Sequence, residues 1–161
     1  EGELLEPLSE QAAQLGLAED VFFVGRCERI AELLAVSEIG VLSSASEGFS
    51  NAIIEYMAAG LPVVATDVGG ASEAVIEAET GFLIQAGDAE SLAAGIIELL
   101  NDQARSGHMG ELGRRIVEEK FSCAALFDRT QRLYDRLLAS HSLTSRRVTG
   151  PCREKVERLS R

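Results

Sequence analysis

The sequence predicts an α/β protein: a Rossmann-like parallel sheet with helices on both faces. Short apolar runs alternate with stretches of helical periodicity, and short loops join them. The runs are continuously apolar, as expected for strands buried on both faces. A length of 161 residues, 46% of them apolar and 25% charged, is typical of one soluble globular domain.

The front of the chain is predicted to form a helix, a strand and a second helix. Apolar residues recur at helical spacing from Leu4 to Leu15, and Gly16 follows as a C-terminal stop. The run VFFVG at 21–25 is rich in β-branched and aromatic residues, which predicts a buried strand. Helical spacing returns over residues 30–36.

The rest of the body continues the alternation. Strands are predicted at 39–44, 62–68 and 81–85, and helices at 51–59, 72–77, after Asp88, at 109–119 and, behind a Ser122 cap, at 123–139. Residues 141–161 lose the apolar periodicity. We therefore expect a body over residues 1–140 and a basic, disordered tail over 141–161.

The charge of the chain is unevenly distributed. The net charge is −11, but residues 146–161 hold six basic and two acidic side chains, so residues 1–145 carry −15. An acidic body argues against nucleic acid as a partner. It also means that an anionic ligand would need positive charge from another source.

Cysteine and histidine usage argues against a metal site. Cys27, Cys123 and Cys152 form no C-x-x-C pair, and neither His108 nor His141 lies near another ligand in sequence. Unpaired cysteines fit a reducing cytoplasm, and we expect a cytoplasmic protein. The sequence shows no start methionine, signal peptide or membrane-spanning run of about 18 apolar residues. We expect the chain to be part of a longer polypeptide.

The segment SEGFSNAIIE at 46–55 combines features that helix packing does not require. Glu47 and Glu55 lie eight residues apart, and the segment joins a predicted strand to a predicted helix. In a doubly wound sheet, ligands bind at such junctions. Free amides at the helix N-terminus attract phosphate, and Gly48 lets the backbone approach a ligand closely.

Two carboxylates beside a phosphate site suggest a ligand that is also rich in hydroxyl groups. Ionised carboxylates only accept hydrogen bonds, so they suit the diols of a sugar ring or a ribose. An anion between two sets of hydroxyl groups describes a nucleotide-sugar. A cap at Glu47 and a solvated helix position at Glu55 remain an alternative explanation of the spacing.

The stretch from Ser43 to Ile84 resembles the signature region of family 4 glycosyltransferases of the GT-B fold. The matching elements are the E-x7-E pair, AAGLPVVAT at 58–66, Gly69 and Gly70 followed by Glu73, and TGFL at 80–83. The resemblance extends from the first residues to about Leu138. It implies that residues 1–140 form a nucleotide-sugar-binding Rossmann-like domain lacking its first strands, a partial C-terminal half of such an enzyme.

The resemblance also assigns roles to residues. Glu47 would be the catalytic residue, lying near the donor sugar and its reacting carbon, and Glu55 would bind the ribose hydroxyls. The backbone contacts to sugar and diphosphate would come from Gly48, Phe49, Ser50 and Asn51. Gly25 and Arg26 would lie at the nucleobase loop, although a surface arginine fits the second position equally well. Gly69 and Gly70 either belong to the site or only permit a tight turn.

The implied reaction is sugar transfer from a nucleotide-sugar to an acceptor hydroxyl with retention of configuration. It needs no metal or other cofactor. The partners would be the donor and a sugar, lipid or other hydroxyl acceptor bound by an absent N-terminal domain, with peripheral membrane association of the full protein and no nucleic acid. The basic residues that hold the diphosphate would lie upstream, and an apolar sheet edge should be exposed.

Other functions remain open at this level. A related GT-B enzyme could be a nucleotide-sugar epimerase or a glycogen phosphorylase. A phosphorylase would require a pyridoxal-phosphate lysine, and Lys120 and Lys155 do not lie in suitable loops. A truncated, non-catalytic nucleotide-sugar-binding module is the third possibility.

Overall fold

The computed structural model describes residues 2–145, and its centre is a three-stranded parallel sheet. The strands are β1 (Gly40–Leu42), β2 (Val63–Thr66) and β3 (Gly81–Ile84), in the order β1-β2-β3. Val63 lies opposite Gly40 on one side and Gly81 on the other. Three predicted strands are thereby confirmed, each somewhat shorter than predicted.

Helices fill the connections between the strands and the remainder of the described chain. They are α1 (Leu5–Gln14), α2 (Ile30–Ala35), α3 (Asn51–Ala58), α4 (Ala71–Ala74), α5 (Ala89–Asn101), α6 (Gln103–Ile116), a π-helical turn (Val117–Phe121) and α7 (Cys123–Ser145). The two predicted caps are confirmed. Asp88 accepts the Ser91 backbone N–H at 2.9 Å, and the Ser122 hydroxyl accepts the Ala125 N–H at 3.2 Å.

The helix predicted at about 109–119 is present, but its bounds differ from the prediction. Asp102 caps α6 by accepting the Arg105 backbone N–H at 3.0 Å, so the helix begins six residues earlier. Its first turns are polar and therefore give no apolar period in the sequence. At the other end the chain continues into the π-helical turn without a break.

Both faces of the sheet are covered, as predicted. Val63 and Ala65 contribute to one core with residues of α3, α4 and α6, including Ile53 and Met57. Val64, the intervening residue of β2, packs into a second core on the opposite face, together with Phe82, Leu99 and Met109. β2 is therefore buried on both faces, which explains its continuous apolar sequence.

The predicted strand at 21–25 was wrong. The segment forms no ladder, and its apolar side chains are exposed, with Phe22 at 78% and Val24 at 59%. An extended segment needs a neighbouring backbone to satisfy its hydrogen bonds, and strand propensity depends on that context. Within residues 2–145, no strand lies beside the segment at 21–25.

β1 lies at an open edge of the sheet. Within the described residues it pairs only with β2, and Val41 is 36% exposed. An exposed apolar sheet edge was expected from the sequence, and the structure contains one.

α7 is also largely unpacked. Its apolar side chains include Leu126, Phe127 and Tyr134, and each of these is more than 60% exposed. The helix continues to Ser145, whereas residues 146–161 of the predicted tail lie outside the described part of the chain. No helix within residues 2–145 combines the length and apolarity that crossing a membrane requires.

Candidate functional site

The loop between β1 and α3 lies at the carboxyl end of the sheet, where parallel α/β proteins bind ligands. Ser50 precedes the first residue of α3 and has an extended backbone, with φ −83° and ψ 117°. Its side chain is buried and makes no capping hydrogen bond. The first-turn amides of α3 are therefore not taken up by a side-chain cap at Ser50, as an anion site at this position requires.

The Glu47 carboxylate is fixed by a local hydrogen bond. The Ser44 hydroxyl donates to Glu47 Oε1 at 2.7 Å, while the Glu47 side chain is otherwise exposed. A hydrogen bond to an ionised carboxylate is stronger than one between neutral groups. Ser44 was not among the predicted site residues, although its position three residues before Glu47 was visible in the sequence.

Gly69 and Gly70 pack directly against this loop. The Gly70 backbone N–H donates to the Gly48 carbonyl at 2.7 Å. Gly69 has φ +56°, and a Cβ at this position would lie 2.3 Å from the Glu47 carbonyl oxygen and 2.2 Å from that of Gly48. The pair therefore does more than permit a turn, because only glycine allows this approach to the loop.

Phe49 lies close to two neighbours. A Cβ on Gly70 would lie 2.7 Å from the Phe49 ring, and the centroid of the Phe121 ring lies 5.5 Å from that of Phe49. Phe49 nevertheless remains 42% exposed. No sequence pattern connects Phe121 to this loop.

The remaining predicted residues lie on the surface. Asn51 begins α3 and is exposed, and Glu55 is exposed one turn further along the same helix. Burial and, to a smaller extent, the negative charge of Glu55 raise the pKa of the neighbouring Tyr56. Gly25 has φ +66° and Arg26 is exposed. Within residues 2–145, no hydrogen bond or ion pair joins Arg26 to the loop.

Among the cavities lined by residues 2–145, one opens near each end of the sheet. The larger, about 330 Å³, lies at the amino ends of the strands, beside Ile39 and Pro62. The smaller, about 190 Å³, lies at the carboxyl ends, and its lining includes Ser43, Thr66 and Asp88. We assign the functional site to the carboxyl end despite the difference in volume. The loop with Glu47 and the first-turn amides of α3 lie at that end. Across the described residues, no three His, Cys, Asp or Glu side chains are grouped as metal ligands.

A parallel α/β sheet with a glycine-lined loop leading into a helix N-terminus defines the class of nucleotide-binding α/β domains. The sequence profile described as "Glycosyl transferases group 1" matches residues 1–116. The chain belongs to this glycosyltransferase family, and its fold is that of the GT-B enzymes.

Individual relatives agree with this family. The chain is 35% identical over 120 residues to N-acetyl-alpha-D-glucosaminyl L-malate synthase of Bacillus anthracis, a match covering 74% of this chain and 32% of the relative. It is 38% identical over 116 residues to D-inositol 3-phosphate glycosyltransferase of Streptomyces avermitilis, covering 70% and 25%. The chain therefore spans a third or less of these relatives.

Solved structures show the same fold. Sucrose-phosphate synthase from Thermosynechococcus elongatus superposes with a TM-score of 0.76 at 34% identity, covering 84% of this chain and 34% of that one. Anabaena HepE in complex with UDP-glucose superposes with a TM-score of 0.76 at 30% identity, covering 86% and 38%.

Proposed function

We propose that this chain supplies most of the donor-binding domain of a glycosyltransferase. The enzyme transfers a sugar from a nucleotide-sugar to an acceptor hydroxyl with retention of configuration. The observation that carries the proposal is the position of Glu47, which Ser44 holds at 2.7 Å in the loop that enters α3. Family membership and a structural relative that binds UDP-glucose support the same donor class.

Different residues of the chain bind different parts of the donor. The first-turn amides of α3 and the backbone of Gly48 to Asn51 bind the diphosphate through the positive end of the helix. Glu47 accepts hydrogen bonds from the sugar hydroxyls, and Glu55 accepts them from the ribose. Gly25 and Arg26 remain the proposed nucleobase contacts.

The reaction exchanges one bond at the anomeric carbon for another. The bond from that carbon to the diphosphate oxygen breaks, and a bond to the acceptor oxygen forms on the same face of the sugar. The acceptor proton passes to the departing diphosphate. Glu47 orients the sugar and stabilises the positive charge that develops on its ring, and it forms no covalent intermediate. This chemistry uses no resident cofactor.

The remaining parts of the proposal concern groups beyond this chain. Residues 1–145 carry a net charge of −15, so the diphosphate requires basic side chains from elsewhere in a longer polypeptide. The acceptor, a sugar, lipid or other hydroxyl compound, would bind to that polypeptide. We place the reaction in the cytoplasm, with peripheral membrane association where the acceptor is a lipid.

Nucleotide-binding measurements separate the two proposed carboxylate roles. We expect Glu55→Gln to weaken binding of both UDP and UDP-glucose by roughly tenfold, because a charged hydrogen bond to the ribose is lost. Glu47→Gln should weaken UDP-glucose but leave UDP unchanged, since UDP has no sugar for Glu47 to contact. Isothermal titration calorimetry provides both affinities.

Glu10→Gln is the matched control, because Glu10 is an exposed glutamate on α1. In the longest available form of the protein, Glu47→Ala should reduce sugar transfer by orders of magnitude without changing the circular dichroism spectrum. Near-normal transfer by that variant would refute the role of Glu47.

A non-catalytic nucleotide-sugar-binding module is the second candidate. The open β1 edge and the exposed segment at 21–25 favour it, because both leave apolar surface to which a partner could bind. The 161 residues alone should bind donor weakly and transfer no sugar. Measurable binding without transfer, in the longest form of the protein as well, would favour the module.

A further inference from the structure

Phe121 reaches the loop between β1 and α3 (residues 43–50), which we call the site loop, from a part of the chain that is distant in sequence. It ends the π-helical turn that follows α6. Its ring and that of Phe49 are tilted by 33°, with centroids 5.5 Å apart, within the range that aromatic pairs prefer. The family profile ends at residue 116, so Phe121 lies outside the residues on which family membership depends.

The π-helical turn explains why Phe121 points towards this region. In an α-helix, the residue four positions after Ile116 would lie above it, and that residue is Lys120. In a π-helix the hydrogen bonds connect residues five apart, so Phe121 takes that place. Ile116 is buried, Lys120 is exposed, and Phe121 packs against the core that contains Ile116. The wider turn thus directs a ring inward and a lysine outward.

The contact between the rings adds a second restraint on the loop, besides the one that Gly70 provides. Gly70 binds the Gly48 carbonyl and also approaches the Phe49 ring closely. Phe121 contacts that ring directly. Phe121 also packs against the core, as do Ile116 and Val117 just before it. Movement of the loop away from this position would therefore break both the Gly70 and the Phe121 contacts.

We propose that Phe121 is a positioning residue for the site loop. Through the Phe49 ring, it holds the backbone of residues 48–51 in the arrangement that receives the donor. The importance of this for donor binding rests on the proposed function, but the restraint on the loop does not.

The test compares Phe121→Leu with a variant that retains the ring, Phe121→Tyr, and with a core control. Phe82→Leu removes an aromatic ring from the core on the opposite face of the sheet, so it reports general destabilisation. Hydrogen–deuterium exchange measures the loop amides at 48–51, and calorimetry with UDP-glucose measures donor affinity.

We expect Phe121→Leu to accelerate loop exchange by about three- to tenfold and to weaken UDP-glucose by a similar factor. Phe121→Tyr retains the ring, so its loop exchange rate and its UDP-glucose affinity should stay close to those of the wild type. Phe82→Leu should leave the UDP-glucose affinity unchanged and should accelerate exchange at the loop no more than elsewhere in the chain.

If the loop amides of Phe121→Leu exchange no faster, relative to wild type, than amides elsewhere in the chain, the positioning role is overturned. Faster loop exchange in a protein whose wild type binds neither UDP nor UDP-glucose would retain that role and contradict the proposed donor instead. Should Phe121→Leu fail to fold, Phe49→Leu removes the same contact from the loop side, and it must accelerate exchange at Gly48, Ser50 and Asn51.

Discussion

The hydroxyl of Thr66, the last residue of β2, donates to the Ser44 carbonyl at 2.6 Å. Thr66 is only 4% exposed, so the donor side of this hydrogen bond is shielded from water. Because the Ser44 side chain in turn holds Glu47, the buried end of one strand fixes the carboxylate on the surface. Ser44 thus connects the Glu47 carboxylate to the sheet.

Replacing Thr66 with valine should uncouple this connection. The substitution keeps the side-chain shape but removes the donor, leaving the partly buried Ser44 carbonyl without this partner. We expect the free energy of unfolding to fall by about 1–2 kcal/mol, measured by urea denaturation. Thr66→Ser retains the hydroxyl and should lose less, so an equal loss in both variants would contradict the role of the hydrogen bond.

Gly69→Ala should be more damaging than the same change at another glycine with positive φ. Gly69 combines φ +56° with a Cβ position 2.2 Å from the Gly48 carbonyl, whereas Gly87 has φ +86° and nothing within 4 Å. Gly87→Ala should cost about 1 kcal/mol of stability from backbone strain alone.

Gly69→Ala must also displace the loop. We expect it to cost about 2 kcal/mol or more and to alter the amide NMR shifts of Gly48 and Gly70. Identical stability and unshifted amides in the two alanine variants would show that the close approach is unimportant.

Ala78→Gly should stabilise the chain. Ala78 has φ +59°, a left-handed conformation that strains an L-residue. Glycine removes that strain but is more flexible in the unfolded chain, so we expect a net gain of about 0.5–1 kcal/mol in thermal or urea unfolding. Ala94→Gly in the exposed interior of α5 should have the opposite sign, at a cost of about 1 kcal/mol. A loss of stability in both variants would be incompatible with strain at Ala78.

The Asp88 cap should make stability depend on pH. Hydrogen bonds from the Ser91 hydroxyl and then from its backbone N–H lower the pKa of Asp88 below its ordinary value of 3.8. The stabilisation is therefore complete above about pH 3.8 and is lost as the pH falls through the lower, folded value. Asp88→Ala should lower Tm at pH 7, and its difference from wild type should disappear in stronger acid.

Asp20→Ala provides the comparison for this measurement, because Asp20 is exposed and caps no helix. Its Tm should follow that of the wild type across the same pH range. A constant Tm difference for Asp88→Ala at all pH values would show that the charged cap is not responsible.

Much of the fold was predictable because local signals and tertiary context agree. The continuous apolar sequence of β2 matches its burial on both faces, and Asp88 and Ser122 mark helix starts through their own hydrogen bonds. The segment at 21–25 shows the limit of such reasoning. Its residues favour a strand, but a strand also requires a neighbour, which lies beyond local sequence.

The candidate site was predictable only as far as it is contiguous. The segment from Glu47 to Asn51 could be identified because its residues adjoin in sequence. The contact of Phe121 with Phe49 depends on a change of helical pitch more than sixty residues away. The hydrogen bond from Thr66 to Ser44 depends on which strands pair. Residue spacing along the chain reveals neither the change of helical pitch nor the strand pairing.

The open edge of β1 also affects how the isolated chain behaves in a test tube. Within the described residues, no strand pairs with the outer side of Gly40–Leu42, and Val41 on that strand is partly exposed. An incoming molecule can extend the sheet by one strand and present a new edge to the next. We therefore expect the isolated chain to aggregate and precipitate as its concentration rises, and to remain in solution when it is dilute.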